Sequence, residues 1–435
     1  MKKTYIDETK IKLFVYILLT FFVFSCSTAD NEPSIIPEEP KEEVPEEPKE
    51  EEPEEPKKEF ADFIKLRGND VKVNLEIQDI EQGVRYASLK IEDSSYPVIA
   101  HAVLLDLNVG KDLNLEVLTA NANKVMAVER TSIMAKNYSA KNAKDVIAAI
   151  NADFFDMSTG KPLGAEMSEG KFRKSSQQDW TTVFGFTKDR KPFMGQFKFA
   201  SSVVSQSGEK TALNAYNEAR SADFLVLYDS IMGETTGTNP WGTDVLIKPK
   251  TDWINNQTTA IIEKKYPNAG NIAIAKDKMV LSGHGKGSEW INSSQKNPLN
   301  SEVTIIRDFE FYNGNKNLNI KEPLCFAGAH GIILNDSVIQ TIQDEIGKYR
   351  HPRTAIGYSR DENKILMLVV EGRSDASKGV TTDELASIFM FFKMSNAVNL
   401  DGGGSSCLVL KDKIKNVLSD GSERKVTNAF SIVKK

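Results

Sequence analysis

The sequence predicts an α+β protein: a large mixed or mainly antiparallel β-sheet with flanking helices, preceded by an acidic, proline-rich tether. Three observations support this. Strand-like runs outnumber helical ones across residues 60–435, and several alternate apolar and polar residues as half-buried strands do. Short turn-like segments join many neighbours, a connection that suits antiparallel pairing. Helical spacing is confined to a few stretches, the clearest being "TTDELASIFMFFKM" (381–394).

The chain opens with Lys2, Lys3, Lys10 and Lys12 ahead of the apolar run "LFVYILLTFFVF" (13–24), then Ser25 and Cys26. A basic start, a short apolar core and a small residue describe a secretory signal over residues 1–25. The run falls short of the roughly 20 apolar residues that span a bilayer. Cys26 directly after Ser25 resembles the lipobox of bacterial lipoproteins, in which that cysteine carries the lipid. The expected location is therefore the bacterial cell envelope, periplasmic or surface-exposed, with the lipid as the only membrane contact.

Residues 26–59 read as a disordered tether, centred on "PEEPKEEVPEEPKEEEPEEPKK" (37–58). That stretch holds eleven Glu, four Lys and six Pro. Proline keeps such a chain extended and like charges push it apart. It carries −7 against −6 for the whole chain, so the remainder sums to about +1. No basic stripe points to nucleic acid. Beyond Cys26 only Cys325 and Cys407 remain, both in apolar runs. Two cysteines are no disulfide framework, and buried free thiols are the expected state, with pairing left open by the spacing.

From residue 60 to 435 no linker or repeat intervenes, which predicts one large domain, with room for 60–130 to pack as a β-rich N-terminal lobe. "VKVNLEI" and "AHAVLLDLNV" read as strands. "AKNAKDVIAAI" (140–150) has helical spacing and ends at the strand-like "INADFF". Residues 180–310 read as short strands and loops, including the strand "FLVLYD" (224–229) and the polar loop "GETTGTNPWGTD" (233–244). "TAIGYS" and "KILMLVVEG" flank the turn "RDEN" as a hairpin. In the following helix, Thr381 and Glu384 form a capping box, and Leu385, Ile388, Phe389 and Phe392 share one face. "AVNL", three glycines and "CLVL" then read as strand, turn and strand.

The stretch "NLDGGGSSCLVL" (399–410) raises the functional question. Glycine weakens a strand, so Gly402, Gly403 and Gly404 either make a plain turn or let a ligand approach bare N–H groups. Successive N–H groups form an anion site, and an anion there also needs a forked guanidinium. Arg353 in "RHPRTAIG" and Arg373 in "EGR" stand at predicted strand ends. No Gly-Lys-Ser/Thr follows the glycines, which excludes a P-loop.

In chain order, "NADFFDMSTGKPLG" (151–164), "HPRTAIGYS" (351–359), "EGRSDASKGVTTDELA" (371–386), "NAVNLDGGGSS" (396–406) and "LSDGSERKVTNAF" (418–430) together resemble the phosphodiester glycosidase family. The resemblance covers most of 96–435. It implies removal of a sugar, typically α-linked N-acetylglucosamine, joined through its anomeric carbon to a phosphodiester, with no cofactor. The chain departs at Asp153, where glycine is usual, at Glu371, where aspartate is usual, and at His330, where bacterial relatives tend to carry Gly-Pro.

Glycoside hydrolysis uses two carboxyl groups, and Asp401 and Glu371 are the candidates. Each has a structural alternative: Asp401 as a turn cap, Glu371 as an ion-pair partner of Arg373 or Lys378. Arg353 is the first candidate phosphate clamp and Arg373 the second. Asn151 would orient sugar hydroxyls or the glycine turn. Ser405 would donate to phosphate or finish the turn, and Asp153 would line the site. Glu384 reads as a helix cap. His284, His330 and His351 are isolated, so no metal is expected. The expected partner is a glycan or glycosyl-phosphate substrate. Cleavage on the phosphorus side, or a surface lipoprotein that only binds phosphorylated glycans, are the alternatives.

Overall fold

The strand-like runs pair almost entirely antiparallel. The computed structural model describes residues 72–122 and 124–434; the signal segment, Cys26 and the 26–59 tether lie outside the described residues. Strands outnumber helices, as the sequence predicts.

An eight-stranded sheet runs in the order Lys72–Glu81, Val84–Glu92, Val98–Asp106, Lys364–Val370, Arg353–Tyr358, Asn396–Asn399, Gly331–Asn335 and Val338–Ile339. Its central strands are buried on both faces, which is why "KILMLVV" is apolar without alternation. Val103, Met367, Val369, Ile356 and Val398 face a core shared with a five-stranded sheet. Ala102, Leu366, Leu368, Ala355 and Ala397 face the helix Thr382–Phe391. That helix starts in the expected capping box: Thr381 accepts from Glu384 N, and Glu384 returns to the Thr381 N–H.

The five-stranded sheet runs Lys413–Ile414, Leu408–Leu410, Val146–Asn151, Asn428–Lys434 and Leu113–Thr119. Here the reading of 140–150 as helix is corrected. The helix is Thr131–Asn142, and Val146–Asn151 is a strand hydrogen-bonded on both sides. A short apolar run such as "VIAAI" fits a buried strand and a buried helix equally well, and the two flanking strands decide. The described part of 60–130 does not stand apart as a lobe. Val98–Asp106 pairs with Lys364–Val370, and Leu113–Thr119 pairs with Asn428–Lys434.

The middle of the chain forms a seven-stranded sheet and a second eight-stranded sheet, joined by an aromatic core that includes Phe172, Phe197, Phe309, Phe311 and Phe326. Cys325 and Cys407 are buried free thiols. Their surroundings differ: Cys325 Sγ meets Leu115 O at 3.4 Å, and Cys407 Sγ lies 3.6 Å from Glu423.

One topological fact positions the site. Asn396–Asn399 belongs to the eight-stranded sheet and Leu408–Leu410 to the five-stranded one. The triple-glycine bend therefore carries the chain from one sheet to the other and closes no hairpin.

The helix is held to the first sheet at Gly357, where an added Cβ would come within 2.7 Å of the Phe389 ring. Phe389→Ala is expected to cost about 3–5 kcal/mol, read as a lower urea midpoint at unchanged slope.

Candidate functional site

The site is assembled around the end of the Val146–Asn151 strand. Asn151 is fully buried and every arm of its amide is engaged. Its Nδ2 donates to Asp401 O at 2.6 Å, and its Oδ1 accepts from Thr354 Oγ1 at 2.8 Å and Cys407 N at 3.1 Å. Of its two expected tasks, it performs the second: it holds the glycine bend. Asp401 N donates to Ala152 O, which fixes the bend beside the 151–153 segment.

Two carboxyl groups sit on the segments tied together there. Burial pushes Asp401 up to about 6, opposed by a hydrogen bond from Ser405, the Arg424 charge and the Gly402 N–H. Burial pushes Asp153 further, to about 8; Lys174 and the Gly164 N–H oppose it, while Glu166 and Asp401 add to it. Asp153 Oδ2 accepts from Gly164 N at 2.9 Å, whereas its buried Oδ1 has no partner among the described residues. Only glycine fits around this carboxyl. A Cβ on Gly328 would lie 2.5 Å from Oδ2 and 2.6 Å from Oδ1. Asn428 completes the support: its Oδ1 accepts from Asp153 N at 2.9 Å and its Nδ2 donates to Glu166 at 2.6 Å. Burial thus lifts both carboxyls above their ordinary range, Asp153 further than Asp401.

The glycines serve a purpose different from the expected row of bare amides. Gly403 N donates to Pro352 O at 2.8 Å, and Ser405 N to Gly402 O at 3.1 Å, so those N–H groups are committed. What the missing Cβ atoms admit is charged side chains. Gly403, at φ +60°, has Arg373 Nη2 over it, and a Cβ on Gly404 would collide with Asp420 and Arg424. Asp420 bridges the two arginines, with Arg373 Nη1 at 3.3 Å and Arg424 Nη2 at 2.5 Å. Arg424 Nη1 reaches Ser405 Oγ at 3.4 Å.

Arg353 and Glu371 are placed elsewhere. Arg353 is buried, and its guanidinium turns to carbonyls: Nε donates to Val380 O at 3.0 Å, and Nη2 to Ile346 O at 2.5 Å and Tyr349 O at 2.7 Å. Burial lowers its pKa to about 10, against the raising charges of Asp344 and Glu384. Strand alternation explains the direction: Thr354 points to Asn151, so Arg353 points to the opposite face of the sheet. Glu371 faces His101, not Asp401. Its Oε1 lies 2.8 Å from His101 Nε2 and accepts from Val417 N at 2.8 Å, while His101 Nδ1 lies 2.7 Å from Tyr86 OH. Neither alternative expected for Glu371, Arg373 or Lys378, is its partner: Arg373 pairs with Asp420 and Lys378 with Asp375. Glu384 is taken by its cap and by a two-pronged Arg350 contact.

An aromatic corner adjoins Asp153. Phe154 and Trp180 lie 5.3 Å apart between ring centres, and His330 is 5.5 Å from the first and 5.6 Å from the second. His330 Nε2 pairs with Asp344 at 2.7 Å, and its N–H donates to Asn399 O. Burial lowers the His330 pKa, opposed by Asp344. His330 Nδ1 and both amide atoms of Asn399 are buried without partners among the described residues, like Asp153 Oδ1. Each such orphan costs about 1–3 kcal/mol, so a cluster of them on segments that touch marks a place for a polar ligand.

Sequence reasoning missed Arg424, Asp420, Trp180 and Lys174. Asp420 and Arg424 stood inside a recognised motif, and their i,i+4 opposite charges were the available signal. Trp180 and Lys174 had none, because tertiary packing alone brings Trp180 onto Phe154 and the Lys174 charge toward Asp153. Among the described residues, no group of three His, Cys, Asp or Glu side chains is arranged to hold a metal ion.

The buried Asp153, the half-buried Asp401, a bridged arginine pair and an aromatic corner are set where strands of different sheets meet. Residues 253–433 match the phosphodiester glycosidase family model. Over 83 residues the chain is 41% identical to the SPbeta prophage-derived uncharacterized protein YomE of Bacillus subtilis (strain 168), covering 19% of this chain and 13% of that protein. Over 68 residues it is 35% identical to N-acetylglucosamine-1-phosphodiester alpha-N-acetylglucosaminidase of Bos taurus, covering 16% and 12%. The alignments thus span only about an eighth of the length of either relative. A solved structure from Burkholderia pseudomallei K96243, assigned as an exported protein, shares the fold at a TM-score of 0.64. It is 15% identical, and the alignment covers 84% of this chain and 97% of that one.

Two outcomes follow from this geometry. Gly404→Ala forces Asp420 and Arg424 apart and is expected to lower stability by about 1–3 kcal/mol in denaturant unfolding. The native state also holds a proton on Asp153 that the unfolded chain releases near its ordinary carboxylate pKa. Stability should therefore fall as pH rises from about 4 through about 8, and Asp153→Asn should flatten that slope in pH-dependent melting.

Proposed function

We propose that the protein hydrolyses a sugar-1-phosphodiester, releasing free sugar and a phosphomonoester. The observation that carries this reading is the placing of Asp401 and Asp153 on the segments that Asn151 and Ala152 tie together, with the Arg424 charge of the Arg373–Asp420–Arg424 bridge acting on Asp401. The match of residues 253–433 to the family model supports the reaction class. An α-linked N-acetylglucosamine or a related sugar is the proposed glycone, in line with the printed activity of the bovine relative.

In this mechanism Asp401 is ionised at neutral pH and stabilises the positive charge that develops at the anomeric carbon, or activates the attacking water. Asp153 stays protonated. It donates to a sugar or leaving-group oxygen without placing a second negative charge beside the phosphate. Arg424 and Arg373 present guanidinium donors to the phosphate oxygens and carry the charge of the departing phosphomonoester. Asp420 holds both arginines in place. The rings of Phe154 and Trp180 offer an apolar wall to the sugar face. Asp153 takes the part expected of Glu371, and the two exposed-side arginines take the part expected of Arg353. Arg353 instead props the loop beneath His330.

The proposed setting is an envelope or extracellular glycan, reached from a lipid anchor at Cys26 on the long acidic stalk.

The test supplies an N-acetylglucosamine-α-1-phosphate diester and measures released sugar. Wild type is expected to give free sugar with a bell-shaped pH profile, rising near pH 6 and falling near pH 8. Asp401→Asn and Asp153→Asn should each lose about 10²–10⁴-fold in rate with melting curves retained, and Glu371→Gln should lose far less. Undiminished turnover by Asp401→Asn would sink the assignment, and sugar phosphate as the product would move the cleavage to the phosphorus side.

A further inference from the structure

A cavity of about 890 Å³, lined by no residue of the candidate site, opens where the seven-stranded sheet meets the second eight-stranded one. Its volume lies within the roughly 300–1,000 Å³ of pockets that hold one small ligand. The seven-stranded sheet supplies Phe172, Arg173 and Phe309, and the other supplies Tyr216 and Asp229. Phe172 packs on Phe309 at 4.5 Å and on Tyr216 at 5.4 Å between ring centres, so aromatic contacts close the seam.

Two arginines on the lining are buried, Arg173 at 6% and Arg307 at 9% exposure. Both are short of acceptors. Arg173 Nε donates to Glu166 Oε1 at 2.5 Å, yet its Nη2 is buried without a partner among the described residues, and so is Arg307 Nε. The guanidinium carbon of Arg307 lies 3.4 Å from the centre of the Trp253 ring and 5.5 Å from that of Tyr216. Such a stack holds the flat group in place and supplies no oxygen for its N–H groups. Buried donors of this kind call for an acceptor.

The acids nearby do not fill that need. Asp229 accepts from the Tyr216 hydroxyl, from Asn217 Nδ2 at 2.9 Å and from Ile231 N at 3.1 Å. Glu322 pairs with Lys188 at 3.4 Å. Against the one further acid of the lining, the exposed Asp252, stand the exposed Lys171 and Lys321, which form no ion pair among the described residues. The surplus of positive charge draws an anion.

We infer that this cavity is a binding site for a small aromatic carboxylate, separate from the site of hydrolysis. The carboxylate meets the guanidinium forks of Arg307 and Arg173, and the ring lies against the half-buried Trp253 and Phe309. Lys171 and Lys321 add attraction at longer range. A bare inorganic anion would use the arginines and leave the aromatic wall empty.

Titration calorimetry on the intact protein tests this without any turnover, so its result is independent of the hydrolase reading. The probes are naphthalene-2-carboxylate, its neutral carboxamide, the saturated decalin-2-carboxylate and inorganic phosphate. The aromatic acid is expected to bind, the carboxamide and phosphate at least ten-fold more weakly, and the saturated acid about three-fold more weakly. Arg173 is a poor position to alter, because Glu166 beneath it is tied through Asn428 to Asp153. Arg307→Lys, which keeps the charge and loses the fork, should weaken the aromatic acid about ten-fold. Lys171→Ala/Lys321→Ala, confined to exposed side chains, should weaken it about three-fold and decides the matter should Arg307→Lys fail to fold. Arg424→Ala, in the candidate site, should leave its affinity unchanged. No binding of the aromatic acid, equal binding of any of the other three probes, or a loss in Arg424→Ala that the cavity variants do not share, each overturns the inference.

Discussion

Three hydrogen bonds to one buried amide hold the candidate site together. Asn151 sits at the end of the strand that the five-stranded sheet surrounds on both sides. Its side chain reaches the Asp401 carbonyl, the Thr354 hydroxyl and the Cys407 N–H. One residue thereby ties the central strand of one sheet to a strand of the other, and to both ends of the bend between them. Without that tie the bend has only three glycines and two serines to define it, and glycine brings more chain entropy to be overcome than any other residue. An asparagine suits the task because it donates and accepts on one rigid plane, which a carboxylate or a hydroxyl cannot do with the same reach.

The glycines follow from that constraint. A bend pinned at both ends, running between two sheets, has little room around it. The space is filled by Pro352 on one side and by Arg373, Asp420 and Arg424 on the other. Removing three side chains thus concentrates positive charge next to Asp401. The same logic recurs at Asp153, where Gly164 and Gly328 admit a carboxyl that any larger residue would exclude. In both places small residues make it possible to crowd polar groups away from water, and that crowding raises the two carboxyl pKa values.

The positions at which sequence reasoning went astray share one cause. Arg353 offers a guanidinium and Glu371 a carboxylate, each at the end of a strand in one of the quoted motifs. Alternation along the Arg353–Tyr358 strand sends Arg353 to the face opposite Thr354, into a set of backbone carbonyls. Glu371 finds His101 across the sheet before it can reach Asp401. Residue type tells which chemistry is available, while the direction of a side chain depends on pairing register. Asp153 illustrates the converse: its departure from the family pattern made it look peripheral, yet its backbone lies next to the bend.

The amino-acid sequence by itself determined the mainly antiparallel class, the helix capped at Thr381 and the "TAIGYS"–"KILMLVVEG" hairpin. These depend on local periodicity, capping and turn chemistry, which act over a few residues. Only the tertiary structure decided that Val146–Asn151 is a strand, that the glycine bend crosses between sheets, that Asp153 and Arg424 act on or near Asp401, and that Trp180 packs on Phe154 and His330. Those features arise from contacts between segments far apart in the chain, where burial and strand register select one arrangement from many that local preference allows equally.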